Sequence, residues 1–221
     1  HSVSASADLY HSFGRLQANL LVEGFYTMLN NVFTLVRIGE NEDGSIVYWE
    51  RRNGSGATVA GVNFEGKIGI PHRFELQLGY TLQSSRYDTP ERWSDQLAPQ
   101  RKMFRAPDHY GYLTSLFDIT PRFKASLFGT YTGSMLVKHI LSDGTNETDL
   151  EQNTPSFWDM GIKLAYTFRI GKAVNLEVNT GVKNIFDAYQ KDLDYGAFKD
   201  ADYVYGPSLP RMYFVGIKFS I

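Results

Sequence analysis

The sequence contains no cysteine among its 221 residues, which excludes a disulfide framework, a thiol nucleophile and any cysteine-based metal site. Net charge is almost absent too, because 22 Lys and Arg stand against 24 Asp and Glu, a balance of −2. Electrostatics therefore do not predict nucleic acid as a partner. We also find no nucleophile elbow, phosphate loop or zinc motif. We expect no enzyme activity and no cofactor.

Long apolar runs are missing as well. Mean hydropathy is −0.30, and no segment approaches the roughly 20 apolar residues that a membrane helix needs. Membrane β-strands escape this test because their lipid-facing and lumen-facing residues alternate. Aromatic residues are abundant, with 14 Tyr and 15 Phe. They suit the interfacial girdles of such barrels, although many soluble β-proteins are equally aromatic.

The last eleven residues alternate strictly between two faces. One face is apolar and consists of Tyr213, Val215, Ile217, Phe219 and Ile221. This is the period of a β-strand. The same period recurs along the chain and predicts about nine strands, of which the second continues to about Ile38.

The connections between these strands alternate in length. Short turns fall near Gly14, Pro71, Pro121 and Gly171, and long polar loops follow Arg37, Tyr87, Ile140 and Tyr189. Membrane barrels have this arrangement, whereas β-sandwiches have shorter strands and no such alternation. We therefore predict an all-β, antiparallel transmembrane β-barrel. Nine is an odd number and the first strand descends from the long-loop side, so we expect a fragment whose N-terminal strands are missing.

Particular stretches resemble a known family. GVKNIFDAYQ, from Gly181, resembles the penultimate strand of TonB-dependent outer-membrane receptors. YGPSLPRMYFVGIKFSI resembles their closing strand, with its entry at Gly206, Pro207, Pro210 and Arg211. GATVAGVNFEGKIGIP and RAPDHYGYLTSLFDITPRFKASLFGTYTGSM resemble earlier hairpins of the same barrels, especially in Bacteroides-type receptors. The likeness covers essentially the whole chain.

The resemblance implies that residues 1–221 are the last nine strands of a 22-stranded barrel, without its plug and earlier strands. It implies the Gram-negative cell outer membrane and the uptake of a scarce large nutrient: a metal chelate, a vitamin such as cobalamin, or a glycan. The implied partners are outer-membrane lipid, a TonB-type inner-membrane protein that contacts the missing plug, and a surface lipoprotein. A small outer-membrane barrel enzyme and a passive pore remain as alternatives.

Four loop residues are candidate ligand contacts: Arg92, Trp93, Tyr195 and Tyr203. Interfacial aromatic belts are the alternative for each aromatic one, and for Tyr205 beside them. For the terminal strand, the resemblance implies an assembly signal, and an ordinary edge strand is the alternative.

The fourth loop carries a cluster of carboxylates at Asp192, Asp194, Asp200 and Asp202. Such oxygen-rich spacing suits calcium, but the loop lacks a full consensus and we favour a solvated surface. The five His residues show no ligand spacing, so we expect surface positions for His109 and His139.

Overall fold

The computed structural model describes residues 1–42, 47–171 and 174–220. Fourteen strands follow one another along the chain: β1 Ser2–Phe13, β2 Leu16–Leu29, β3 Phe33–Glu40, β4 Val47–Asn53, β5 Ala57–Ile70, β6 Phe74–Glu91, β7 Gln100–Lys102, β8 His109–Asp118, β9 Phe123–Thr132, β10 Leu136–Ser142, β11 Glu147–Asn153, β12 Phe157–Ile170, β13 Val174–Lys183 and β14 Met212–Ser220. None of the described residues forms a helix long and apolar enough to cross a membrane.

Nine of these strands form one antiparallel sheet in the order β1-β2-β5-β6-β8-β9-β12-β13-β14, with short β7 paired to the end of β6. The prediction of about nine strands in the main sheet is thus confirmed. These nine strands are neighbours in the sheet in the order in which they occur in the sequence. Every short turn therefore lies at one end of the strands and every long loop at the other. The long loops comprise residues 30–56, 92–108, 133–156 and 184–211, named here the first to fourth loops.

The expectation that the second strand continues to about Ile38 is wrong. β2 ends at Leu29, and Asn31 then adopts a left-handed conformation with φ 55°, which Asn tolerates better than most residues. The chain re-enters strand structure at β3, which pairs with β4 in a separate hairpin. The second loop also begins later than expected, since β6 runs to Glu91 rather than ending near Tyr87. A second separate hairpin, β10–β11, occupies the third loop.

One face of the nine-stranded sheet is apolar from edge to edge. Its large side chains are strongly exposed, for example Val3 at 71%, Phe168 at 48% and Val215 at 75%. A contiguous apolar surface of this extent marks contact with lipid or with another protein. Many of the cross-strand pairs along it are apolar on both sides, as in Phe168 opposite Leu176 and Val178 opposite Ile217.

Aromatic rings border this apolar face at both ends. Nearer the long loops, Tyr131 stacks with His109 at 5.4 Å between ring centroids and meets Trp158 at 4.5 Å. Nearer the short turns, Tyr166 lies 4.7 Å from Phe168 and 6.5 Å from Phe123. The eight residue steps from Trp158 to Tyr166 span about 27 Å of strand, or about 21 Å along the normal of a barrel whose strands tilt by about 40°. The aromatic rows thus bound an apolar band close to the roughly 25 Å of membrane barrels.

The opposite face is polar and internally hydrogen-bonded. Asn63 donates to Glu23 at 3.0 Å and accepts from the Thr81 hydroxyl at 2.9 Å, which links three neighbouring strands. Lys67 and Glu75 form an ion pair at 3.0 Å nearer the short turns. These contacts are what a wet lumen wall requires.

Aromatic rings on the polar face cover glycines of the adjacent strand. The Tyr112 ring lies over Gly79 and the Phe214 ring over Gly181, where an added Cβ would collide with the ring. Each glycine therefore gives a large side chain room to lie flat against the sheet.

The terminal strand β14 pairs with β13 over nine residues. Tyr213, Val215, Ile217 and Phe219 lie on the apolar face and are 63–76% exposed. Ile221 lies outside the described residues. A role of this strand as an assembly signal stays a prediction.

An added charge should change the free energy of unfolding differently on the two faces. Ile162 lies midway between Trp158 and Tyr166 on the apolar face, and Ile162→Arg should lower the free energy of unfolding by about 2–4 kcal/mol in lipid. The matched control is Thr167→Arg on the polar face of the same strand, opposite Glu177. Denaturant unfolding of the protein in lipid vesicles measures both, and equal losses would contradict the assignment of the faces.

Candidate functional site: the layer of long loops

The second, third and fourth loops pack on one another to form what we call the loop layer. The antiparallel order of the strands brings these loops to the same end of the sheet strands, and polar side chains then join them. Gln96 of the second loop donates to the Glu147 carbonyl at 3.0 Å and accepts from the Asp149 amide at 3.1 Å. Arg105 donates through its backbone to Leu136, at 2.8 Å, and through its guanidinium to the Asp202 and Val204 carbonyls.

The base of the fourth loop is closed by the stretch that resembles the penultimate strand of the receptors. Asn184, only 2% exposed, donates to the Ala188 and Leu209 carbonyls at 2.9 Å each and accepts from the Ala188 amide at 2.8 Å. The Asp187 carboxylate accepts from the Arg211 amide at 2.9 Å. Asn184 and Asp187 both have positive φ, at 49° and 51°. The motif therefore ties the exit from β13 to the entry into β14.

A small apolar core lies inside the loop layer. It consists of Val137, Phe157, Tyr203 and Tyr205, which are 0–7% exposed and have Met135 and Ala188 packed against them. Gly206, with φ 81°, lies against the Phe157 ring, and an added Cβ there would come within 2.8 Å of it. The core joins the third loop to the fourth by apolar contact.

The hydroxyl groups of the two core tyrosines converge on Asp192. Tyr203 donates to its Oδ2 at 2.7 Å, and Tyr205 donates to Oδ1. Burial raises the pKa of Asp192, but the hydrogen bonds that it accepts, chiefly those from Tyr205 and Tyr203, together outweigh this effect, so the net pKa lies below the usual value. Burial, aided by the bond to Asp192, raises the pKa of Tyr205 to about 12 and raises that of Tyr203 further. A carboxylate facing two neutral hydroxyls is thus the stable state over the ordinary pH range.

His139 is buried at 5% exposure, which makes the expectation of a surface position wrong for this residue. Its Nε2 lies 2.9 Å from Asp194 Oδ2, and its ring stacks on Tyr203 with 3.6 Å between centroids and 5° between planes. In β10, His139 lies two residues after Val137, on the same side of the strand. That side is buried because the fourth loop packs against it, which the local sequence does not reveal. His109, by contrast, lies part-buried in the aromatic row of the apolar face, where Tyr80 hydrogen-bonds its Nδ1 at 3.1 Å.

The acidic side chains of the fourth loop hold the loop in place. Asp200 accepts from the backbone amides of Ile140 and Asp202 at 2.9 Å each. Asp194 accepts from His139 and from the Asp200 amide. Among the residues described, no group of three or more His, Asp or Glu side chains is placed to hold a metal ion. Asp192, Asp194 and Asp200 therefore act as acceptors for neighbouring donors rather than as a freely solvated surface, whereas Asp202 is exposed.

The structure places the four predicted ligand contacts in different surroundings. Tyr203 is 1% exposed, so its side chain belongs to the core of the loop layer and is not available to a ligand from solution or to an interfacial belt. Tyr195 is 85% exposed on the fourth loop. Arg92 and Trp93 both line a pocket of about 120 Å³ between the first, second and third loops. Ligand contact by these three stays a prediction.

Other residues of the loop layer were missed by the sequence reasoning. Gln190, 9% exposed, donates to the Tyr203 carbonyl and accepts from the Tyr205 amide. The Gln152 side-chain amide lies 2.5 Å from the Tyr203 hydroxyl, whose one proton is donated to Asp192. Nothing local marks either glutamine. Asn184 lay within a stretch that the resemblance had already singled out, and that was the available signal.

Solved structures with this arrangement are outer-membrane import receptors. The ferric-catecholate import receptor Fiu of E. coli K12 matches 98% of the chain at 22% identity and a TM-score of 0.61. The siderophore receptor PirA of Acinetobacter baumannii matches 98% at 14% identity and 0.56, and the FrpB iron transporter of Neisseria meningitidis 98% at 12% and 0.55. The chain has the fold of a TonB-dependent outer-membrane receptor barrel.

The likeness extends over part of those receptors. The chain spans 27–31% of the length of these three structures. No protein-family model and no curated protein sequence matches the chain. The fold expected from the sequence is thereby confirmed, whereas the number of strands in the whole barrel is not established by these comparisons.

Removal of one hydroxyl group tests how the loop layer is held. Tyr203→Phe deletes the hydrogen bonds to Asp192 and Gln152 while keeping the ring, and should cost the fourth loop about 1.5–3 kcal/mol of local stability. Trypsin cleavage after Lys191 and Lys199, both in this loop, should then be at least about tenfold faster. Tyr195→Phe is the control, since that residue is 85% exposed, and similar rates in the two variants would contradict the assignment.

Proposed function

We propose that the protein is an outer-membrane active-transport receptor for a scarce large nutrient, and that this chain supplies barrel wall and part of the extracellular binding mouth. The observation that carries the proposal is the nine-stranded sheet itself. Its apolar face is bordered by aromatic rows, its other face is polar, and its long loops interlock at one edge. Import receptors share this fold over 98% of the chain.

The direction of the strands supports a larger barrel. In an antiparallel sheet of nine strands, the first and ninth run the same way, so β1 and β14 cannot pair antiparallel with each other. Antiparallel closure requires an odd number of additional strands. A 22-stranded barrel, the size of plugged outer-membrane transporters, would supply thirteen. We therefore propose that residues 1–221 are the C-terminal part of such a barrel, with the plug and earlier strands outside this chain.

The remaining parts of the proposal follow from the receptors that share the fold. TonB-dependent receptors work with a TonB-type energy transducer, and we propose one here, acting through a plug. A surface lipoprotein over the mouth is included on the sequence resemblance alone. The printed names of similar structures refer to ferric catecholate, siderophore and iron. Among metal chelates, vitamins such as cobalamin and glycans, they favour a metal chelate as the cargo.

Introduced cysteines test the orientation in the membrane, because the chain contains none of its own. Tyr195→Cys, in the fourth loop, should react with a membrane-impermeant maleimide on intact cells. Arg15→Cys, in the exposed turn after β1, should react only after the outer membrane is permeabilised. Labelling of Arg15→Cys from outside, with Tyr195→Cys protected, would invert the proposed topology.

Uptake measurements separate the receptor from a passive pore and from an enzyme. A strain lacking the gene should lose uptake of one limiting nutrient among metal chelates, cobalamin and glycans, and an uncoupler of the proton-motive force should abolish that uptake in the parent strain. Uptake that persists with the uncoupler and rises linearly with concentration would identify a pore. A product altered chemically rather than accumulated would identify an enzyme.

A further inference from the structure

The pocket that Arg92 and Trp93 line is built from three different loops. Phe33 and Ser55 come from the first, Phe104 from the second, and Lys138 from the hairpin in the third. Trp93 is fixed from outside the pocket, because its Nε1 donates to Glu151 Oε1 at 2.9 Å. Trp93 and Phe104 meet edge to face, with 6.3 Å between ring centroids. The aromatic wall is therefore held before any ligand arrives.

Lys138 reaches across this aromatic wall. Its Nζ lies 5.1 Å from the centroid of the Trp93 ring and 4.9 Å from that of Phe104. Both distances are within the range of cation–π attraction. Burial, and then the positive charge of Arg105, lower the pKa of Lys138, although Glu151 acts in the opposite sense. Lys138 remains exposed on its outer side, so an anion from solution can reach the ammonium group that the two rings position.

The pocket carries more positive than negative charge. Within residues 1–42, 47–171 and 174–220, neither the Lys138 ammonium nor the Arg92 guanidinium has a carboxylate within 4.0 Å. Glu91 supplies one carboxylate to the lining, and its Oε1 already accepts from the Ser55 hydroxyl at 2.8 Å and the Ser55 amide at 3.3 Å. The lining thus has two cations without ion-pair partners and one carboxylate with a neutral partner. A second carboxylate, Glu151, lies opposite Lys138 in the β10–β11 pair, outside the lining, and accepts from the Trp93 indole.

The size of the pocket limits what it can hold. At about 120 Å³ it is well below the roughly 300–1,000 Å³ of pockets that enclose a whole ligand. It has room for one small group, with the rest of a large molecule lying outside. The Phe33 side chain, 72% exposed, offers an apolar surface beside it.

We propose that this pocket is an anion subsite of the binding mouth, in which Lys138 and Arg92 hold an anionic oxygen group, such as a carboxylate, of the cargo. The inference rests on the proposed function and names a chemical feature of the transported molecule: it carries at least one exposed anionic group next to an apolar part. Trp93 and Phe104 position the Lys138 ammonium, and Glu91 fixes the first loop through Ser55.

Calorimetric titration of the full-length protein in detergent tests the subsite, with benzoate as the probe and neutral benzamide as its uncharged counterpart. Lys138→Met keeps the chain length and the contact with the two rings but removes the charge, and should weaken benzoate binding by about tenfold or more. Arg92→Gln should weaken it in the same direction. Lys199→Met, an exposed lysine of the fourth loop, is the matched control and should bind as the unaltered protein does. The trypsin resistance of the fourth loop should remain unchanged in Lys138→Met and Arg92→Gln. In Lys199→Met, which lacks one of the two trypsin sites, only cleavage after Lys191 is compared.

The effect of pH supplies a second readout. Benzoate remains an anion above neutral pH, so its affinity should fall as pH rises through the lowered pKa of Lys138, at pH values below the 10.5 of an ordinary lysine. Lys138→Met should remove this part of the pH dependence. Equal affinity for benzoate and benzamide, an unchanged affinity in Lys138→Met, or a loss equal to that of Lys199→Met would each overturn the proposal. Because the titration uses no cells and no energy source, it is independent of the outcome of the uptake experiment.

Discussion

The hydrogen-bond ladder between neighbouring strands is the constraint on which everything else in the structure depends. A bilayer offers no water to an unpaired amide or carbonyl, so each strand must find both of its partners in the sheet. Nine strands in consecutive antiparallel order meet this need at every internal position described. Period-two alternation then divides the side chains into a lipid-compatible face and a wet face without any further choice. The consecutive antiparallel order also brings every long loop to the same end of the strands.

The nine-stranded sheet, here called the wall, and the loop layer are held together by different forces. In the wall, backbone hydrogen bonds dominate and few side chains are buried, since either face of the sheet is open over most of its area. In the loop layer the balance is reversed. Val137 and Tyr203, the largest fully buried side chains, lie there, and so does the stacked pair of His139 and Tyr203. The loops are thus packed like a small globular core, and the Lys138 ammonium is held against two aromatic rings.

Sequence patterns predicted the wall well because each strand reveals its own period locally. The nine strands, the four short turns and the apolar face of β14 all followed from alternation. The loop layer was not predictable in the same way. Burial of Tyr203 and His139 depends on which distant segments meet, and alternation within β3 could not be told from a continuation of β2. Arg92 and Trp93 were singled out for their residue types, whereas Lys138, which completes their pocket, comes from another loop and carries no local signal.

The closed base of the fourth loop has a consequence for how such a surface changes. Asn184 and Asp187 join the two ends of the 28-residue fourth loop, and Asp192 and His139 anchor its middle. Tyr195 and Gly196, by contrast, are exposed. Insertions or replacements at Tyr195–Gly196 would therefore not be transmitted to β13 or β14. The fourth loop is in effect an exchangeable cassette. Its tip can change while the sheet and the pocket lined by Arg92 and Trp93 keep their geometry.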